Sequence, residues 1–133
     1  MRIGSGTVDG ASGAFSGLPI SFSDRLDRDA SVVSPEEFMA SAHAASYVMA
    51  LSNALGANGN QPERLEVTAA CNLDRTTDGL AITRSRLEVK GVVPRMDGET
   101  FNSMAQKAET KCLISNAIRG NVEIELTTEL VSE

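Results

Sequence analysis

The pattern of apolar and polar positions changes period several times along this chain of 133 residues, and each change marks an element. From residue 1 to 24 a weak alternation is broken by glycines ("GTVDGASGAFSGLPISFS"), which predicts short strands joined by a Gly-rich turn. "DRLDRDASVV", residues 24 to 33, is charged and without period, and reads as a loop. Ser34 then supplies an N-cap, Pro35 the first helical position, and Glu37, three residues after Ser34, completes a capping box. Phe38, Ala42, Ala45, Met49 and Ala50 continue at helical spacing until Gly56 and Gly59, so a helix with an apolar stripe is expected, with Ser46 inside that stripe and hence buried or at an interface.

Period two returns in "RLEVTAACNLD" and "LAITRSRLEVKGVV", separated by "RTTDG", the signature of an antiparallel hairpin that Pro94 ends. From about Thr100, the positions Phe101, Met104, Ala105, Ala108 and Cys112 predict a second amphipathic helix. Ser115 offers a fresh N-cap and Gly120 a stop, predicting a short third helix. "NVEIELTTEL" closes the chain as a strand, with Val122, Ile124 and Leu126 on one face and Glu123 and Glu125 on the other. Strands, helix, strands, helix, strand make an α+β pattern, expected as a single domain over 1–133.

Composition narrows the possibilities. A formal charge of −6, with no block of like charges longer than two or three, argues against nucleic acid or an anionic membrane as partner, since both need a clustered basic surface. Trp is absent and aromatics are 4% of residues, so the core must come from aliphatic side chains and many Ala; each Ala buries little area, which makes a core shared in an oligomer plausible. With no signal peptide, no apolar run near the length of a membrane span and no lipidation motif, a cytoplasmic protein is expected. Two cysteines, Cys71 and Cys112, do not make a disulfide framework, and one His with two distant Cys gives no metal cluster. No phosphate-cradling loop or dinucleotide fingerprint occurs, so no cofactor is expected.

Few residues then remain as candidates for chemistry. Ser46 on an apolar stripe is explained by a hydroxyl bonded to its own helix, and Cys71 and Cys112 by packing as small hydrophobes. His43, one turn before Ser46, is a conceivable base for a hydrolase, but neither a nucleophile elbow nor an oxyanion hole accompanies it.

"SPEEFMASAHAASYVMALS" and "QKAETKCLISNAIRGNVEIEL", with "GLAITRSRLEVKGVVP" between them, closely resemble the OsmC/Ohr family of thiol-dependent hydroperoxide peroxidases. The likeness runs over nearly the whole chain; "AHAA" favours the OsmC branch, and "SNAIRGN" is also reminiscent of Ohr. The resemblance implies an α+β fold with two central helices wrapped by antiparallel β-sheets, in an intertwined homodimer. It carries the peroxidatic cysteine onto Ser46, the resolving cysteine onto Cys112, the first-helix glutamate onto Glu36, and the peroxide-orienting arginine onto Arg25, with Arg28 a nearby competitor. Ser46 and Glu36 lie ten residues apart, about 15 Å on a straight helix, which suggests a pocket completed across the two-fold.

In the family's cycle a thiolate attacks the O–O bond of a hydroperoxide, an alcohol leaves, and the resulting sulfenic acid condenses with the second cysteine to a disulfide. A dithiol, for example a lipoyl group, then reduces it, with no resident cofactor or metal. The chain departs from the pattern at three places: Ser46 for the nucleophile, Leu113 for the proline that usually follows the resolving cysteine, and a start later than typical members. A serine hydroxyl neither attacks peroxide effectively nor forms a disulfide, so the chain as it stands is expected to be inactive as a peroxidase. Either a Cys→Ser substitution was introduced to obtain an inert protein, or a natural member has lost its nucleophile and binds a ligand without catalysis; both remain open from the sequence.

Overall fold

Gly-interrupted strands, a capped long helix and a long hairpin all appear in the structure, a computed structural model that describes residues 4–27 and 31–132. The chain divides into two compact units, Met1–Phe38 and Met39–Glu133. In the first, β1 (Ser5–Val8) and β2 (Leu18–Ser21) pair antiparallel. One helical turn follows, α1 (Phe22–Arg25), capped by Ser21, whose hydroxyl accepts from the Asp24 amide at 3.1 Å. The sequence reads this point as the start of a loop, because four residues are too few for a helical period to register. Phe15 and Phe38 stack at a tilt, with ring centroids 5.5 Å apart.

The long helix α2 (Pro35–Ala57) starts where the capping residues predict, the Ser34 hydroxyl accepting from the Glu37 amide at 3.1 Å. Its buried face in the second unit differs from the expected one. Ala40, His43, Tyr47, Leu51 and Leu55 are buried, whereas Ala42 and Ala45 are exposed and Met49 is 71% exposed. The large side chains decide the matter, since Tyr and Leu lose far more surface on burial than Ala does.

β3 (Arg64–Thr76) and β4 (Gly79–Val92) form the antiparallel hairpin, closed where Thr76 faces Gly79. Gly79 has φ +115, a conformation that other residues rarely adopt. α3 (Gly98–Glu109) is capped by Asp97, which accepts from the Thr100 amide at 2.7 Å. β5 (Glu123–Leu130) returns to pair with β4 in parallel, giving the order β3-β4-β5. Its register sets Arg84 against Glu123, Arg86 against Glu125 and Lys90 against Glu129. Opposite charges thus meet on the exposed face, while Leu87 and Val89 of β4 enter the core with Tyr47, Leu51 and Leu55 of α2 and Phe101, Ala105 and Ala108 of α3. The fold is the expected α+β class. Among the described residues no helix is long and apolar enough to cross a membrane.

Candidate functional site

Cys112 does not continue α3. The last amides bond three residues back, Lys111 to Ala108 at 2.9 Å and Cys112 to Glu109 at 3.2 Å, and this tighter winding ends the helix. Cys112 instead caps α4 (Leu113–Ile118), and its sulfur accepts from the Ser115 amide at 3.5 Å. Ser115, expected from the sequence as the cap, lies within α4 and is fully buried. The burial that the stripe predicted for Cys112 holds at 0% exposure, although the helix assigned to it does not.

Position 46 meets this turn: the Cys112 thiol and the Ser46 hydroxyl lie 3.4 Å apart, Sγ to Oγ, and Ser46 is half-buried. In the first unit, Nε and Nη2 of Arg25 both reach Oε1 of Glu36, at 2.7 and 2.5 Å. Glu36 is buried, and its second oxygen, Oε2, has no hydrogen-bond partner among the described residues. The guanidinium therefore grips one carboxylate oxygen rather than matching the two in parallel. Arg28 lies outside the described residues.

His43 faces away from the hydrolase role. Its Nδ1 lies 2.6 Å from the hydroxyl of Ser85 on β4 and its Nε2 2.7 Å from that of Ser115 on α4, all three residues being fully buried. Burial holds the His43 pKa below the ordinary imidazole value; Glu109 pulls it up less strongly, and Arg119 adds to the lowering. The ring is thus neutral, one nitrogen donating and the other accepting. Cys71 on β3 is half-buried, its thiol 3.8 Å from the Ser85 hydroxyl. Neither cysteine is in a disulfide.

Residues 28–127 match the family described as OsmC-like protein. The chain belongs to the OsmC family. It is 35% identical over 125 residues to the peroxiredoxin OsmC of Escherichia coli strain K12, covering 94% of this chain and 87% of that protein. It is also 27% identical over 94 residues to the organic hydroperoxide resistance protein of Xanthomonas axonopodis pv. citri, covering 70% of this chain and 64% of that one. Among solved structures, the organic hydroperoxide resistance protein of Elizabethkingia anophelis superposes with a TM-score of 0.79 at 21% identity, covering 98% of this chain and 97% of that one.

Of the residues that the OsmC/Ohr resemblance singles out, then, the structure brings Ser46 to Cys112 and Arg25 to Glu36. Sequence reasoning missed Ser85 and Ser115 as partners of His43. The spacing held a trace of one of them, since His43 stands three residues before position 46 and Ser115 three after Cys112, each one turn from a residue that the resemblance singles out. Among the described residues no group of three or more His, Cys, Asp or Glu is arranged to hold a metal ion.

Proposed function

We propose that this chain has the scaffold of an OsmC-type hydroperoxide peroxidase, with Ser46 at the peroxidatic position, Cys112 as the resolving thiol, and Arg25, oriented by Glu36, to steer the peroxide. A peroxidase-type role in the family is supported by relatives named peroxiredoxin OsmC and organic hydroperoxide resistance protein. The observation that carries the proposal for this chain is the 3.4 Å approach of Ser46 Oγ to Cys112 Sγ. A disulfide needs about 2.05 Å between sulfurs, so two thiols at these positions would close it with a small side-chain movement.

In the reaction so read, a thiolate at position 46 takes the distal peroxide oxygen, the O–O bond breaks and the alcohol departs with a proton. Cys112 attacks the sulfenic sulfur, water leaves, and an external dithiol such as a lipoyl group reduces the disulfide. Serine interrupts this at the first step, because its hydroxyl is far less acidic than a thiol and gives no sulfenic acid. His43 does not rescue Ser46 as a nucleophile, since its ring nitrogens bond Ser85 and Ser115.

A homodimer belongs to the same proposal. Ala42, Ala45 and the 71%-exposed Met49 leave α2 apolar on the side away from its core, a face suited to a second copy of the chain. Light scattering at micromolar protein tests it, and a monomer would refute it.

A second reading, ligand binding without turnover, is favoured by a cleft of about 290 Å³ in the first unit, lined by Ile20, Phe22, Pro35 and Arg25 among others. Its apolar wall and single guanidinium suit an alkyl chain ending in a hydroperoxide or carboxylate. One assay separates the readings: consumption of an alkyl hydroperoxide with a dithiol, by the chain as it stands and by Ser46→Cys. Turnover in Ser46→Cys alone is expected. Inactivity of both, with a fatty carboxylate retained by both, establishes the binding reading instead.

A further inference from the structure

Two contacts join α2 to the start of α4 side by side. His43 and Ser46 are one turn apart on α2, and Cys112 and Ser115 are one turn apart at α4; His43 meets Ser115 at 2.7 Å, and Ser46 meets Cys112 at 3.4 Å. The first contact is buried throughout and anchored beyond the ring by Ser85 of β4 at 2.6 Å. A planar imidazole held at both nitrogens has little freedom to tilt, so it fixes how far α4 stands from α2 and how α4 is rotated about its own axis. The second contact inherits that setting, because the Ser115 amide reaches Cys112 Sγ at 3.5 Å.

We propose that His43 is a positioning residue for the pair at 46 and 112: clamped between Ser85 and Ser115, it presents the Cys112 sulfur to position 46 at the separation from which a disulfide closes. The proposal rests on the reading of these two positions as a thiol pair. His43 touches neither sulfur and acts through Ser115. Removing its ring leaves the Ser115 hydroxyl without its partner and α4 without its spacer, and Cys112 then samples orientations in which its sulfur points away from position 46. The cost falls on disulfide closure, an intramolecular step whose advantage lies in orientation.

The test uses the full chain carrying Ser46→Cys, equilibrated with reduced and oxidised glutathione. The two protein thiols lose two protons and two electrons in forming the S–S bond, and oxidised glutathione accepts them and becomes two molecules of glutathione. The equilibrium constant reports the effective concentration of one protein thiol at the other and needs no peroxide. Adding His43→Ala is expected to lower it about tenfold, a rise of about 30 mV in potential. His43→Gln, whose amide offers one donor and one acceptor, is expected to restore most of it. Ser115→Ala removes a single oxygen and should reproduce the loss, carrying the test where His43→Ala does not fold. An unchanged constant in folded Ser115→Ala overturns the proposal, as does failure of Ser46→Cys to form any disulfide. A normal constant without peroxide turnover would overturn the proposed peroxidase function while leaving the positioning role of His43 standing.

Discussion

His43 is the sole histidine of the chain. Acidification from pH 7 therefore perturbs one imidazole against a background of carboxylates. Buried at 0% exposure and bonded through both nitrogens, it has a folded-state pKa below the ordinary 6.5, chiefly because burial penalises the cation. Its neighbours oppose each other: Glu109 favours the proton, while Arg119, paired with Glu109 at 2.8 Å, disfavours it. As pH falls through 6.5 the unfolded chain takes up a proton that the native chain refuses, so stability declines until the lowered folded pKa is reached. Above 6.5 both states are neutral at this site and it adds no slope.

Within that window the slope approaches about 1.4 kcal/mol per pH unit, large against a native stability of about 5–15 kcal/mol. The assay is urea unfolding followed by circular dichroism at several pH values between 7.5 and 5, for the chain and for His43→Gln. Glutamine does not titrate, and the 18 Asp and Glu are common to both proteins and cancel in the difference. At neutral pH the variant should be less stable by about 1–3 kcal/mol, the cost of imperfectly paired buried hydroxyls. That gap should narrow as pH drops, because only the parent loses stability through the imidazole. Parallel profiles would refute the lowered pKa of His43; a gap that widens in acid would mean that Glu109 holds the ring as a cation.

Two further substitutions probe the core beneath this site. Gly91→Ala places a Cβ 2.6 Å from Cζ and 2.8 Å from Cε2 of the fully buried Phe101, so it should cost about 1–3 kcal/mol and lower the melting temperature in calorimetry. Tyr47→Phe deletes a buried hydroxyl that donates to the Ala105 carbonyl at 2.9 Å and should cost about 1 kcal/mol in denaturant, with the fold retained. Burial, aided by Cys112 and Glu109, holds the Tyr47 pKa above the ordinary phenol value, so alkaline titration of this single tyrosine should show phenolate only as the protein unfolds.

The strands were legible because their period of two survives in the sequence and "RTTDG" marks the turn between two of them. What alternation does not encode is the partner: β5 alternates as expected, yet its parallel pairing with β4 depends on the crossover through α3 and α4. The end of α3 was misread because Ala108 and Cys112 keep the spacing of four while the backbone between them tightens to bonds three residues back. Pairing of Ser46 with Cys112 came from motif likeness, since 65 residues of unrelated pattern separate them. Ser85 had no local signal at all, because a buried serine in a strand looks like any polar position until its partner on another element is known.

The misjudged stripe of α2 has a physical reason that bears on the site. About 100° separates successive residues on a helix; Ala42, Ala45 and Met49 of the predicted set and the observed core set Ala40, His43, Tyr47, Leu51, Leu55 keep helical spacing on nearly opposite sides, while Ala50 of the predicted set is half-buried against the core. Periodicity therefore identifies two apolar faces, and only side-chain volume chooses between them for the core. On the same wheel Ser46 stands about 120° from the centre of the core face and about 60° from the centre of the outer one, which accounts for its half-burial. A nucleophile at the middle of the core would be closed to any substrate, and one at the middle of the outer face would lie beneath the second copy if the proposed dimer forms there. The flank between them lets Ser46 reach Cys112 inward while remaining half-buried, a placement that the proposed reduction of a hydroperoxide by a thiol pair would need.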